Sequence, residues 1–423
     1  MKAISRNGAV TRGKILFVDD DPNILSALKR EILFSDIQSA AARNAGEALQ
    51  MLMQQDFDII VSDYRMAGVD GMQLLKQVKE KFPSVYRIIF SGFIDHNILM
   101  RSLTHGWASI FFTKPWKSET LVKKLEQVLK IKSEIRDAEI FRLLNTFNDF
   151  PTLSSQYNKL MHAVGQKLPA HKFLEFIEVD PVLSTRVLQI ANATCFGEKE
   201  IVSVKEAVEL IHEFALDDIA FTTRDLREMH LEKNSVSALT NLFIHSALLN
   251  KYLPVFHKLK FGSPGPAQYP SLGIIHELGK IILLHFFPEQ IQAVHAYQTE
   301  HPEKSFYECE AELGYRDRSH IQLGCWLLGL WNIPESMSDV LLAQSNKRCA
   351  DSSVSNRVRV LDYTEEIIRI VYKLKKCSRG NALQLKISGI DQQTTDKIVE
   401  DMSAAIDALE AEFSGNTSCR VET

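Results

Sequence analysis

Along the first part of the chain, short apolar runs alternate with stretches whose apolar residues recur every three to four positions. "KILFV" precedes "PNILSALKREIL", "DIQSAAA" precedes "NAGEALQMLMQ", and "FDIIVS" precedes "GMQLLKQVKEKF". "YRIIFS" then precedes "IDHNILMRSLTHG", and "SIFFT" precedes "SETLVKKLEQVL". Strands apolar on both faces, each followed by an amphipathic helix, predict a doubly wound α/β domain with a five-stranded parallel sheet. From 117 to 148 the helical pattern runs on without Gly or Pro, which predicts one continuous connecting helix. Past Pro151 no convincing alternating strands occur. Helical patterns follow one another, among them 181–194, 238–256, 271–285, 355–377 and 391–412, so a separate all-α domain is expected. The expected boundaries are a flexible start at 1–13, the α/β domain at 14–130 and a connecting helix at 131–150. A helical domain at 151–345, its helical extension at 346–413 and a disordered tail at 414–423 complete the chain.

Length and charge narrow the class. A chain of 423 residues exceeds one core. With 45% apolar and 24% charged residues it has the composition of soluble globular domains. A net charge of -4 gives no large pull toward nucleic acid or an anionic membrane. No apolar run is long enough to span a bilayer, and "MKAISRNGAVTRGK" lacks the apolar segment of a secretory signal. The six cysteines are scattered without a C-x-x-C pair, as expected of thiols in a reducing cytoplasm.

In a doubly wound sheet, ligands sit beyond the carboxyl ends of the strands. Those ends carry Asp19-Asp20, Asp63, Ser91-Gly92 and Thr113-Lys114-Pro115. Carboxylates brought together there repel by about 4 kcal/mol per pair at ~4 Å and an effective dielectric near 20. Mg²⁺ relieves that repulsion and keeps waters that a phosphate donor can replace. Lys114 offers a fixed positive charge to a phosphoryl oxygen, and Ser91 a hydroxyl.

"ILFVDDDPNI", "VSDYRMAGVDG", "FSG" and "FTKPW", in this order and spacing, resemble a two-component response-regulator receiver domain over about Lys14 to Lys130. The resemblance implies a flavodoxin-like fold with Asp63 as phosphoacceptor. It implies Asp20 as a direct Mg²⁺ ligand, Asp19 acting through a water, and the Arg65 carbonyl completing the set. Ser91 would be the switch hydroxyl, Phe111 the switch aromatic, and Lys114 the phosphate-binding base, with a cis Lys114–Pro115 bond. Ala67 departs from the proline common there. On phosphorylation, Ser91 would move toward the phosphoryl group, Phe111 would swing inward, and the change would pass along the connecting helix. A sensor histidine kinase or phosphotransfer protein is the implied donor, and homodimerisation on phosphorylation is compatible with it.

The segment "FIEVDPVLSTRVLQIANATCFG" (176–197) is similar to the HDOD family, helical modules related to HD-type phosphohydrolases. "FPTL" (150–153), "LFIHSALL" (242–249) and "ELGYRDRSHIQLGCWLLGLWNIPESM" (312–337) fit too. Read from the residues, Asp180 is a helix N-cap ahead of Pro181, and Asn192 with Phe196-Gly197 marks a helix end. His245, His276, Glu277 and His320 lie where an HD hydrolase places ligands, with Lys280 as its following lysine. No histidine follows His320, Ala343-Gln344-Ser345 stands where a histidine pair is needed, and Glu277 is one methylene longer than the usual Asp. Gly314-Tyr315 precedes His320, in the wrong order for a GYP signature, and Arg316 replaces its proline. The residues left suffice for at most one ion, and hydrogen-bonded core histidines are the preferred reading. No metal is therefore expected in the helical domain, which is read as a non-catalytic output module binding an unidentified protein. The rivals are a degenerate phosphodiesterase acting on cyclic dinucleotides and a transcription factor using the basic stretch "NKRCADSSVSNRVRV".

Overall fold

The computed structural model describes residues 13–33, 35–92, 96–148, 151–194, 199–212, 215–229, 233–263, 265–266, 269–346, 352–376 and 390–414. Residues 1–12, Phe150, Phe196-Gly197, the first part of the basic stretch (347–351) and the tail from 415 lie outside this set. The chain forms two compact units, one built on residues up to Asn148 and the other on the bulk of those after it.

In the first unit, β1 (Lys14–Val18), β2 (Gln38–Ala42), β3 (Ile59–Asp63), β4 (Tyr86–Ser91) and β5 (Ile110–Thr113) form a parallel sheet in the order β2-β1-β3-β4-β5. Between and after them run α1 (Pro22–Glu31), α2 (Ala45–Gln54), α3 (Gly71–Lys81), α4 (His96–Thr104) and α5 (Ser118–Glu134). Ile15, Leu16, Phe17, Ile59, Ile60 and Ile88 are fully buried because helices cover both faces. Side-chain caps set the helix starts. Asp21 accepts from Asn23 N at α1, Asn44 from Glu47 N at α2, and Asp70 from Gln73 N at α3. The third residue of the Asp19–Asp21 run is thus spent on a helix cap, while the first two face the strand ends.

The connecting helix is not continuous. α5 stops at Glu134, Ile135 turns extended, and Asp137 caps a new helix, α6 (Ala138–Thr146), by accepting from Glu139 N. The break needs neither Gly nor Pro. An Asp that can satisfy a free N–H restarts a helix by itself, and the signal lay in "IRDAEI". α6 is held to the sheet by Arg87, fully buried in β4. Its guanidinium donates to Val85 O (2.9 Å), Trp107 O (3.1 Å) and Asn145 O (2.9 Å). Burial pulls this guanidinium down to about 10, so it stays charged and answers the carbonyl end of α6. Asn145 reciprocates through Nδ2 to Pro83 O (2.8 Å) and Val85 O (3.0 Å).

The second unit is helical: α7 (Ser154–Gly165), α8 (Ala170–Ile177), α9 (Pro181–Thr194), α10 (Val204–Ile211), α11 (Leu216–Thr222) and α12 (Lys233–Phe261). α13 (Tyr269–Ile275), α14 (Leu278–Phe286), α15 (Pro288–Glu300), α16 (Phe306–Glu312), α17 (His320–Leu330), α18 (Glu335–Asn346), α19 (Ser352–Lys376) and α20 (Gln392–Ser414) follow. One pair of two-residue strands joins 151–152 to 224–225. The expected helix 271–285 is broken at His276-Glu277, which form the turn between α13 and α14. α20 belongs to the core: Met402, Ile406 and Phe413 are buried, and Tyr252 Oη on α12 donates to Asp401 at 2.6 Å. Among the described residues, no single helix is long and apolar enough to cross a membrane.

Asp180 caps α9 as expected, accepting from Val182 N (2.8 Å) and Leu183 N (2.9 Å), with the Thr152 hydroxyl as a third donor. It is fully buried, and burial pushes its carboxyl up to about 7 against those three bonds. The folded state therefore holds this proton more tightly than the unfolded chain. Its contribution to stability is present below the ordinary carboxylate range and is lost as pH rises to about 7, by up to ~4 kcal/mol. Asp180→Asn, which keeps the cap without the charge, should remove this part of the decline between pH 4 and pH 7. Asp180→Ala should cost about 1–2 kcal/mol at pH 5. Urea unfolding at pH 4, 5 and 8 checks both, and an unaltered pH profile in Asp180→Asn would contradict the assignment.

Candidate functional site

At the carboxyl edge of the sheet, β1 delivers Asp19 and Asp20, β3 ends on Asp63, and β5 hands on to Lys114. Each of the three acids can present an oxygen within 4.8 Å of the others. Lys114 Nζ lies 2.5 Å from Asp19 Oδ2 and 2.6 Å from Asp63 Oδ1. Burial pushes the Asp63 carboxyl up, and Asp19 and Asp20 add to that, while Lys114 works against both. Burial pulls Lys114 down, but its bonds to Asp19 and Asp63 more than reverse this. The loop after Asp63 returns so closely that a Cβ on Gly71 would lie 1.9 Å from Asp63 O, so only glycine fits.

Ser91, at the end of β4, is buried, and Lys114 N donates to its carbonyl at 2.8 Å. The Lys114–Pro115 bond is cis. Arg65 lies on the loop following β3. Phe111 is buried in β5, 3% exposed, opposite Ile89. The acids and the lysine suit Mg²⁺, since hard oxygen ligands gather where one ammonium balances only part of their charge.

The second unit holds another cluster. His245 on α12, the His276-Glu277 turn and Glu365 on α19 can each offer one atom within 4.8 Å of the rest. His276 Nε2 is 2.9 Å from Glu365 Oε1, and His276 Nδ1 is 3.3 Å from Glu277 Oε1. His245 Nε2 is 3.4 Å from that same oxygen. Lys280 Nζ is 2.9 Å from both Glu277 oxygens, with bond geometry good only at Oε1. Burial opposes charge on every member. It is outweighed at His276 by Glu365 and Glu277, which hold the imidazole up at about 10, and at Glu277 by Lys280 and the imidazoles, which hold the carboxyl down. At His245 burial prevails and pulls the ring down.

His320 is not part of this set. Its Nδ1 lies 2.6 Å from Glu310 Oε2 and its backbone N donates to Glu310 Oε1 at 2.8 Å, so a fully buried glutamate fixes the start of α17. The close approach of α17 to α14 depends on Gly279, where a Cβ would meet His320 O at 1.7 Å. The sequence reading missed Glu365 and Glu310, and it named Gln344 only as a replacement for histidine, whereas its amide donates to Glu365 Oε2 at 3.0 Å. Glu365 had a signal: it falls four residues after Leu361 and three before Ile368, a charge on the buried face of an amphipathic helix.

Residues 15–126 match the response regulator receiver domain family, and residues 150–347 match the HDOD domain family. The hydrogenase transcriptional regulatory protein HoxA of Cupriavidus necator is 29% identical over 116 residues, covering 27% of this chain and 24% of that protein. The DNA-binding transcriptional regulator NtrC of Escherichia coli is 30% identical over 118 residues, covering 28% of this chain and 25% of that protein. The chain thus spans about a quarter of the length of these relatives. Among solved structures, the signal receiver domain of an HD domain-containing protein from Pseudomonas fluorescens Pf-5 is 29% identical, with a TM-score of 0.28. That match covers 29% of this chain and 98% of the other.

Since Lys114 occupies the carboxylates that would hold Mg²⁺, the two cations oppose each other. Lys114→Met should tighten Mg²⁺ binding several-fold, up to about tenfold, at pH 8. Titration calorimetry would show it. Unchanged or weaker binding would mean that Lys114 does not set the charge at this site.

Proposed function

Because the chain carries a response-regulator receiver domain followed by an HDOD domain, we propose that it is a phosphorylation-controlled regulator. Asp63 takes a phosphoryl group from a sensor histidine kinase or a phosphotransfer protein, and the HDOD domain transmits that state by binding a protein partner, without catalysis. The observation that carries this is the convergence of Asp19, Asp20 and Asp63 on Lys114. An Asp63 oxygen forms the new bond to phosphorus as the donor's own bond to it breaks. Lys114 then exchanges part of its contact with Asp63 for a phosphoryl oxygen, and Ser91 can donate its hydroxyl to another. Asp19, Asp20, Asp63 and the Arg65 carbonyl are the groups that would hold Mg²⁺, which supplies charge screening for the incoming phosphoryl oxygens.

The non-catalytic reading of the HDOD domain rests on its ligand supply. A hydrolytic water held between two ions needs more ligands than the described residues bring together. Where a histidine pair would stand, Gln344 instead holds Glu365.

Incubation with acetyl phosphate should give a phosphoryl adduct in the intact mass, abolished in Asp63→Asn and by chelation of Mg²⁺. An adduct of equal yield in Asp63→Asn would remove the phosphoacceptor role.

The signal leaves the receiver through α6, which is docked on its own sheet, rather than through a rigid continuous helix. Beryllium fluoride with Mg²⁺, as a phosphoryl mimic, should change hydrogen exchange over 131–148 or shift the chain toward a homodimer. Asn145→Ala, which removes two bonds to the receiver, should raise exchange there without the mimic and blunt the response to it. Identical exchange and mass with and without the mimic would reduce α6 to a tether.

A further inference from the structure

We propose that the end of α17 is a latch, gripped by Tyr86 and Lys124 before phosphorylation and released after it. The release rests on the phosphotransfer reading; the grip itself does not. The first unit consists of the residues up to Asn148 together with two short pieces of the later chain, 192–200 and 329–332. The second piece carries the last two residues of α17, Gly329 and Leu330. A helix end leaves carbonyls without donors from the helix itself. A left-handed residue, Asn332 (φ 58°), lets the chain turn back and answer two of them. Ile333 N donates to Leu328 O at 2.9 Å, and Asn332 N to Gly329 O at 3.2 Å. The Leu330 carbonyl takes the Tyr86 hydroxyl at 2.5 Å, and the other lone pair of Gly329 O takes Lys124 Nζ at 2.8 Å.

Tyr86 opens β4 and is wholly buried, and burial pushes its phenol up, so it stays a donor. Lys124 lies buried on α5, where its ammonium also meets Gln127 Oε1 at 2.8 Å and faces the negative end of the α17 dipole. Gly329 brings the helix end close: a Cβ there would lie 2.5 Å from Ile131 Cδ1, which would have to move. Asn332 Nδ2 donates to Asn192 O at 2.9 Å and so ties the two inserted pieces together. Both gripping elements reach the phosphotransfer site. β4 runs from Tyr86 to Ser91 with every residue buried, and α5 starts just past Lys114-Pro115. A buried strand and an unbroken helix shift as units, so a change at Ser91 or Lys114 is felt at Tyr86 and Lys124. The grip is complete in the state where Lys114 binds both Asp19 and Asp63. A phosphoryl group on Asp63 ends that arrangement, and hydrogen bonds this short tolerate little displacement. α17 then carries the change to its other end, where His320 O lies against Gly279 of α14. This is a second route beside α6.

The test is hydrogen exchange on the full chain, read over residues 321–333. Without a phosphodonor, Tyr86→Phe and Lys124→Met together should speed exchange there about tenfold, with β1 to β3 unchanged. With beryllium fluoride and Mg²⁺, the unaltered chain should show a similar rise and the double variant no further one. Lys124→Met keeps the length of the side chain and carries the test by itself should Tyr86→Phe fail to fold. Two results would overturn the proposal: exchange over 321–333 unmoved by the substitutions, or unmoved by the mimic in a chain that acetyl phosphate does phosphorylate. If acetyl phosphate leaves no adduct, the release falls with the phosphotransfer reading, and the substitutions alone decide the grip.

Discussion

A carboxylate taken out of water must be met by a cation, and this requirement shapes both units. In the receiver, Asp63 sits at a strand end where burial and two neighbouring acids disfavour its charge, and Lys114 compensates. Parallel strand order places these groups together, because β1, β3 and β5 all end at the same edge. The same geometry keeps the acids poised for a second cation, since one ammonium cannot balance three carboxylates.

The helical unit solves the problem differently. Glu277 is wholly buried, and its partners come from three directions: Lys280 one turn ahead, His276 beside it and His245 from α12. Glu365 enters from α19 and engages His276 on its other side. The turn between α13 and α14 makes this arrangement possible. In an unbroken helix, adjacent residues point about 100° apart. Here the broken helix lets His276 and Glu277 face one cluster, with three imidazole–carboxylate contacts in place of a packed apolar layer.

In sequence, α6 follows the last helix of the receiver, and its attachment to the receiver's own sheet bears on how a phosphoryl group could be felt elsewhere. Arg87 donates to the main-chain carbonyls of Val85 and of Asn145 on α6, and Asn145 Nδ2 donates to those of Pro83 and Val85 just before β4. Such bonds report shifts of the backbone more than shifts of side chains.

The sequence by itself determined the alternation of strands and helices, the three acids and Lys114, the cap at Asp180 and most helices of the second unit. Each depends on local spacing: a period of two or near 3.6, a cap at a helix start, or a run of a few residues at a strand end. Only the tertiary structure decided that His276-Glu277 lies on a turn, that His320 belongs to Glu310, and that Glu365 completes the second cluster. Hydrophobic patterning tells which face of a helix turns inward, but not which distant helix it will meet. For a buried charge, the partner across that contact determines its role.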